Sequence, residues 1–241
     1  ELGATDYFNR LSKRVIAALS LPTATGALYE VDTRLRPSGA QGPPCVSVAS
    51  FAEYQREKAW TWEHMALTRA RGVYGSKRAR EGIEAVIGEV LHRPAADDLG
   101  EDVRSMRTEI EAHKKPVGPL DVKRLSGGLI DAEFVTHFHQ LSAKQGLSPE
   151  LPAAARALAD AGLVDEDFVA ARDFLTRLLI LVRLVSPDCQ EPPEPVRALI
   201  AEGLELADWA AVMQALKQAR GAVTAAWEAA LGPREPSKAK D

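Results

Sequence analysis

Apolar residues recur at helical spacing along most of the chain. Phe8, Leu11, Val15, Ile16 and Leu19 fall three or four apart, so the spacing predicts a helix from a Thr5 cap to about Ser20, ended by Pro22 and Gly26. Ser50 is placed to cap a second helix running through Trp60 and Trp62 towards Arg71, and a third run spans about residues 76–92. A polar, acidic stretch over 94–100 marks a boundary. Beyond it the pattern predicts a helix from about Glu101 to His113, a turn-rich passage with Pro116, Gly118 and Pro119, and a short extended piece over 120–123. A helix leads from Gly127-Gly128 to about Leu141, and further helices cover 152–161, 165–185 and 207–231. Residues 232–241 have no apolar anchor and are expected to be disordered.

One segment breaks the helical rhythm. From Ala27 to Arg36 the side chains alternate with period two, which in a strand puts alternate residues on one face. Tyr29, Val31, Thr33 and Leu35 form a mostly apolar face suited to a core. Leu28, Glu30, Asp32, Arg34 and Arg36 form the other. Acids and arginines side by side can hold a hard cation and a polyphosphate together, carboxylate on Mg²⁺ and guanidinium forks on phosphate oxygens. An edge strand laced with salt bridges has the same pattern.

Composition narrows the classes. The chain has 241 residues, 46% of them hydrophobic, with 30 Lys+Arg against 34 Asp+Glu and a formal charge of −4. That is a globular composition at a length that suits one or two cores. Two cysteines, Cys45 and Cys189, exclude a disulfide scaffold and suit a reducing cytoplasm. The most apolar stretch, 174–185, is too short to span a bilayer and carries Arg177 and Arg183. Residues 1–93 hold 13 Lys/Arg against 10 Asp/Glu, and 94–241 hold 17 against 24. A weakly basic part beside an acidic one suits a phosphate-handling site and lacks the dense basic face of a nucleic-acid binder.

Three segments in order carry a family resemblance. They are Leu28-Tyr29-Glu30-Val31-Asp32-Thr33-Arg34-Leu35-Arg36-Pro37-Ser38-Gly39, then Ala59-Trp60-Thr61-Trp62-Glu63-His64-Met65-Ala66-Leu67-Thr68-Arg69-Ala70-Arg71, then Asp121-Val122-Lys123 with Gly127-Gly128-Leu129-Ile130-Asp131-Ala132-Glu133-Phe134. Together they resemble the glutamine synthetase adenylyltransferase/adenylyl-removing enzymes, strongly over about 5–140 and weakly beyond. The forms of the first two segments are more similar to the carboxy-terminal, adenylylating head. The related uridylyltransferases that modify PII are disfavoured by the Trp-Thr-Trp-Glu-His segment.

The resemblance implies a two-headed enzyme whose heads are nucleotidyltransferase folds followed by helices, one transferring AMP from ATP to a tyrosine of glutamine synthetase, with glutamine and the PII protein as signals. The expected fold is mostly α: a partial nucleotidyltransferase α/β part over 1–93, a short sheet with helices, followed by a helical bundle over 98–231. The implied cofactor is Mg²⁺. The implied sites are Asp32 as catalytic carboxylate and, with Glu30, as metal ligand, and Arg34, Arg36, Lys123, Gly127 and Gly128 around phosphate.

Enzymes of this type also resemble one another in a Gly-Ser and an Asp-x-Asp pair upstream of the third carboxylate. No such segment precedes Asp32, and the chain opens Glu1-Leu2-Gly3 without Met. Gly75-Ser76 lies after the strand, and Asp165 with Asp167 sits at a helix start. The chain is therefore expected to begin just after the metal-binding pair and to be inactive alone. The alternative is a non-catalytic helical module docking glutamine synthetase or PII.

The remaining candidates carry bland readings beside sharp ones. Gly127-Gly128 before a helix can cradle phosphate or form a tight turn with Asp131 and Glu133 in favourable first-turn positions. Arg69 and Arg71 suit salt bridges more than phosphate. Trp60 and Trp62 are expected to anchor a core. Glu133 and His137 stand one turn apart without a third ligand, and no zinc is expected.

Overall fold

The computed structural model describes residues 3–27 and 29–233. Glu1, Leu2, Leu28 and the expected disordered tail from 234 onward lie outside the described residues. The chain divides into two compact units, one reaching to Val90 and the other starting at Leu91.

The first unit contains α1 (Ala4–Leu19), a two-residue hairpin of β1 (Pro22–Thr23) and β2 (Gly26–Ala27), a 3-10 turn (Gly39–Gln41), α2 (Val48–Glu57), α3 (Thr61–Leu67) and α4 (Lys77–Leu91). β1 and β2 pair antiparallel, Pro22 with Ala27 and Thr23 with Gly26. Ser47, not Ser50, caps α2: its Oγ accepts the Ser50 N–H at 3.1 Å. The predicted helix through Trp60 and Trp62 breaks in two at Lys58–Trp60, where Glu63 turns back to accept the Trp60 N–H at 2.9 Å and starts α3.

The strand expected over 27–36 is corrected. Only Gly26–Ala27 pairs, and residues 29–34 join no ladder among the described residues. The alternation survives in weakened form: Val31 and Thr33 are half-buried, while Glu30, Asp32 and Arg34 are exposed. Tyr29 and Leu35, expected on the core face, are 62% and 65% exposed. A strand pattern becomes a ladder only where a neighbour offers backbone donors and acceptors, and the short hairpin offers none beyond Ala27. The nucleotidyltransferase sheet is thus not formed by the described residues. α1 follows the same logic, since it buries no residue and keeps its apolar stripe of Phe8, Leu11, Val15 and Leu19 in contact with water.

The second unit is a helical bundle of α5 (Leu99–His113), α6 (Leu129–Ser142), α7 (Leu151–Asp160), α8 (Glu166–Val185), α9 (Glu194–Gly203) and α10 (Trp209–Leu231). α10 packs along α8 and α6, and α9 joins the bundle through α8 and α10. Val103, Leu158, Phe168, Leu175, Leu178, Val223 and Trp227 are almost wholly buried there. Asp165 and Asp208 cap α8 and α10, accepting the N–H groups of Phe168 at 2.7 Å and Ala211 at 2.8 Å. The extended piece expected over 120–123 is instead a run of turns, with Leu120 and Val122 fully buried.

A buried ion pair ties those turns to the bundle. Arg107 of α5 donates Nε to Asp131 of α6 at 2.5 Å, and the other Asp131 oxygen accepts the Gly127 N–H at 2.5 Å. Gly127 has φ +72°, and a Cβ there would stand 2.3 Å from the Arg220 carbonyl oxygen of α10. Asp131→Ala leaves the buried Arg107 guanidinium with only Glu111, at 3.6 Å on its own helix, and the Arg124 carbonyl, and is expected to cost about 3 kcal/mol, read as a lower urea midpoint of the second unit. A midpoint equal to wild type would show that the pair carries no stability.

Candidate functional site

The loop after β2 arranges its charges within itself. Asp32 faces back on Arg34: Nε reaches both carboxylate oxygens at 2.9 and 3.0 Å, Nη2 reaches Oδ2 at 2.6 Å, and the Arg34 N–H adds a fourth bond at 3.0 Å. Both side chains are well exposed, 57% for Asp32 and 78% for Arg34. The bidentate guanidinium, helped by the backbone N–H, lowers the Asp32 pKa to about 2.

Arg36 has a different task. Its Nη1 donates to the Thr33 carbonyl at 2.5 Å and to Thr33 Oγ1 at 3.0 Å, its Nε to the Gly42 carbonyl at 3.2 Å, and its Nη2 to the Ala40 carbonyl at 3.4 Å. One guanidinium thus holds both ends of the 33–42 turn, collecting carbonyls that no ladder or helix uses. Glu30 is exposed two residues before Asp32.

Asp32, Glu30, Arg34 and Arg36 belong to the first unit, whereas Lys123, Gly127 and Gly128 belong to the second. Lys123 is exposed and the two glycines are buried. A Cβ on Gly128 would lie 2.4 Å from the Val122 carbonyl, and the Gly127 N–H is taken by Asp131. These contacts are those of a tight turn. A magnesium ion needs several oxygens in a near-octahedral shell. Among the described residues no group of three or more His, Cys, Asp or Glu is placed to hold a metal ion. Asp32 and Glu30 by themselves do not make up such a donor set.

One expectation changes. Trp60 and Trp62 anchor no core, being 70% and 39% exposed. Their segment instead turns its polar members inward. Glu63 is only 7% exposed and accepts the Tyr54 phenol on both oxygens, at 3.0 and 3.1 Å. Burial, with the Glu63 carboxylate also contributing, raises the Tyr54 pKa. His64 Nε2 lies 2.9 Å from the Gln55 carbonyl oxygen, and Gln55 itself is 5% exposed. The Tyr54, Gln55, Glu63 and His64 cluster was not singled out among the candidate sites. Its signal was a glutamate three residues after the α3 cap. In the second unit His137 is buried with Nδ1 3.0 Å from Gln140 Oε1, whose amide nitrogen binds the Gly146 carbonyl at 2.6 Å.

Around this inward cluster α2, α3 and the start of the Arg36 turn leave a cleft of about 470 Å³ lined by Leu35, Arg36, Phe51, Gln55, Glu63 and Leu67 among others. Known proteins match this part of the chain. A family model described as glutamate-ammonia ligase adenylyltransferase matches residues 1–86. The bifunctional glutamine synthetase adenylyltransferase/adenylyl-removing enzyme of Brucella suis biovar 1 (strain 1330) is 39% identical over 242 residues, covering 96% of this chain and 24% of the relative. The enzyme of the same name from Rhizobium meliloti (strain 1021) is 40% identical over 80% of this chain and 21% of its own length.

Over nearly its whole length the chain is similar to these enzymes. It spans about a quarter of the length of the relatives it matches. That from Bradyrhizobium diazoefficiens is 47% identical over 143 residues, 58% of this chain. No helix among the described residues is long and apolar enough to cross a membrane.

The Asp32–Arg34 geometry has a direct readout. The depressed pKa means that the carboxylate stays charged, and the pair intact, down through the usual aspartate range, and that the pair is lost as pH falls through about 2. Carbon-detected NMR titration of Asp32 is expected to give a midpoint near that value, and Arg34→Ala is expected to return it towards the ordinary aspartate value of 3.8. An unshifted midpoint in the wild type would rule out the bidentate pair in solution.

Proposed function

We propose that the chain is part of an enzyme that transfers AMP from ATP to a tyrosine of glutamine synthetase, and so regulates nitrogen assimilation in the cytoplasm. The observation that carries this reading is the Asp32–Arg34–Arg36 turn, set in a segment that matches the adenylyltransferase family model. The reading gives Asp32 the role of the third carboxylate of a nucleotidyltransferase site, with Glu30 beside it as a further oxygen ligand. Magnesium is the implied cofactor; when bound, it supplies charge neutralisation on the nucleotide phosphates. The described residues lack its full donor set, so this chain alone is inactive in the proposal. ATP, glutamine synthetase and PII are the proposed partners of the longer polypeptide.

The exposed turn suits a polyanion. Asp32 and Arg34 neutralise one another at 2.6 Å in water-accessible positions. An incoming triphosphate competes for the Arg34 fork, and each bond that Arg34 gives to phosphate oxygen is one removed from Asp32. The carboxylate so released regains basicity, since Arg34 is the largest cause of its lowered pKa. A tyrosine hydroxyl, with an ordinary pKa of about 10, needs such help to attack the α-phosphate in line. Arg36 holds the turn on which Asp32 is carried, and the proposed phosphate contact of Arg36 requires it to exchange one of its carbonyl partners. Lys123, Gly127 and Gly128 are retained in the proposal only as the second unit's phosphate candidates, of which Lys123 is the exposed one.

A second reading, a non-catalytic module docking glutamine synthetase or PII, draws support from the incomplete metal set and from the large helical unit. Magnesium-dependent ATP binding separates the two, because a docking module shows none.

The decisive substitution is Asp32→Asn in the full-length native polypeptide. Transfer of AMP from radiolabelled ATP to the glutamine synthetase tyrosine is expected to fall by about a hundredfold or more, with the far-ultraviolet circular dichroism unchanged. Retained transfer would remove Asp32 from the mechanism.

A further inference from the structure

The connection from α3 to α4 differs in charge from the rest of the chain. From His64 to Arg80 there is no Asp or Glu, against Arg69, Arg71, Lys77, Arg78 and Arg80, in a chain whose formal charge is −4. At its tip Val73 and Tyr74 are 80% and 98% exposed. The loop is nonetheless seated on α4 at both ends. A Cβ on Gly72 would stand 3.2 Å from Ile83 Cγ2 and 3.3 Å from Arg80 Cγ, and one on Gly75, at φ +135°, would stand 3.5 Å from the Ala79 Cβ. Val73 and Tyr74 therefore lie between two points fixed on the start of α4, where Lys77, Arg78 and Arg80 are also exposed.

The charges there run against helix physics. The start of a helix is the positive pole of its dipole and favours acids, yet α4 has none in its first turn and begins Lys77-Arg78. Lys77 has Glu81 one turn on at 3.7 Å, whereas Arg78 and Arg80 form no ion pair among the described residues. Cations gathered on a positive pole destabilise the free helix, and an anionic surface laid against them relieves the repulsion. The apolar members narrow the partner. A tyrosine and a valine in water beside arginines have the make-up of a protein interface, where aromatic residues and arginine are enriched. A nucleic acid asks for a dense basic face, and outside this loop the chain is acidic on balance.

Resting on the reading above, in which a protein tyrosine receives AMP, we propose that the 72–80 surface docks an acidic segment of that protein substrate. Lys77, Arg78 and Arg80 meet its carboxylates, and Val73 and Tyr74 cover an apolar residue of it. The surface belongs to the same unit as the Asp32 turn. It acts on capture of the protein substrate and leaves nucleotide binding and the transfer step to other residues. Exposed charges of this kind work largely through the rate of encounter, which salt screens.

Steady-state transfer of AMP to glutamine synthetase by the full-length native polypeptide reads this surface. Arg78→Glu combined with Arg80→Glu is expected to raise KM for glutamine synthetase about tenfold, with kcat and KM for ATP within about twofold of wild type. Tyr74→Ala is expected to raise the same KM and neither of the others. In the wild type, added salt is expected to raise KM for glutamine synthetase, and poly-L-glutamate to compete with glutamine synthetase and not with ATP. A single-stranded oligonucleotide is expected to compete no better than poly-L-glutamate of equal charge. An unchanged KM in the double variant, a wild-type KM indifferent to salt, no competition by poly-L-glutamate, or stronger competition by the oligonucleotide would overturn the assignment. The wild-type measurements decide the matter even if a variant fails to fold. Normal transfer with an unchanged KM removes the docking surface and leaves the catalytic reading standing. No transfer by the wild type removes both.

Discussion

Asp131 stands in the first turn of α6 with none of its surface in water, and a carboxylate can be kept there only where its charge is met. Arg107 meets it from α5, and the Gly127 N–H meets it from the turn that precedes α6. The same guanidinium also reaches the Arg124 carbonyl at 3.2 Å. Helix start, preceding turn and neighbouring helix are thus fixed by one charge pair, and a close approach follows from it. Gly127 must fit beneath the Arg220 carbonyl of α10, where any side chain would collide. The bundle's core of α6, α8 and α10 is assembled around that fixed corner.

In the first unit the arginines serve the backbone in another way. Residues 29–34 have a strand's alternation without a ladder, so their polar backbone groups need other partners or water. Arg36 supplies partners to three carbonyls in the turn that follows, and Arg34 closes Asp32 into a ring that includes its own N–H. These are local bonds between residues a few positions apart, and they need no distant element to form. The unit's apolar groups have no comparable substitute. Phe8, Leu11, Val15 and Leu19 on α1 have the spacing of a buried stripe and remain exposed, because covering them takes a surface that the described residues of the unit do not supply.

The helices were legible in the sequence because their apolar period is a property of each segment by itself. α8 and α10 appear within two residues of the expected bounds. What was missed had non-local or ambiguous signals. α9 hides behind Pro192, Pro193 and Pro195, which read as a turn; yet proline in the first helical turn forfeits no hydrogen bond, and the helix runs on to Gly203. Trp60 and Trp62 have the hydrophobicity of core anchors, but the chain turns at Trp60 and puts Glu63 inside. The strand over 27–36 was legible as a pattern, but whether a pattern pairs depends on a neighbour that its own residues cannot specify. Of the site, the charge types at Asp32, Arg34 and Arg36 were legible. That the first two would bind each other and the third would bind carbonyls was not, because period two fixes a face and not a partner.

That pairing constrains any chemistry at Asp32. A carboxylate with its pKa lowered to about 2 is a poor proton acceptor, so the arrangement seen in the free chain is a resting one. Basicity returns only as Arg34 leaves, and Arg34 leaves only for an anion that can use both prongs of its fork. A polyphosphate meets that requirement; a chloride ion or a single exposed carbonyl does not. Because both side chains are exposed, the exchange demands little desolvation, and the pair's own contribution to stability is correspondingly screened. In the proposed function, charge compensation in the free state and availability of the carboxylate in a phosphate-loaded state are two arrangements of the same charged groups, and the phosphate decides which of them is populated.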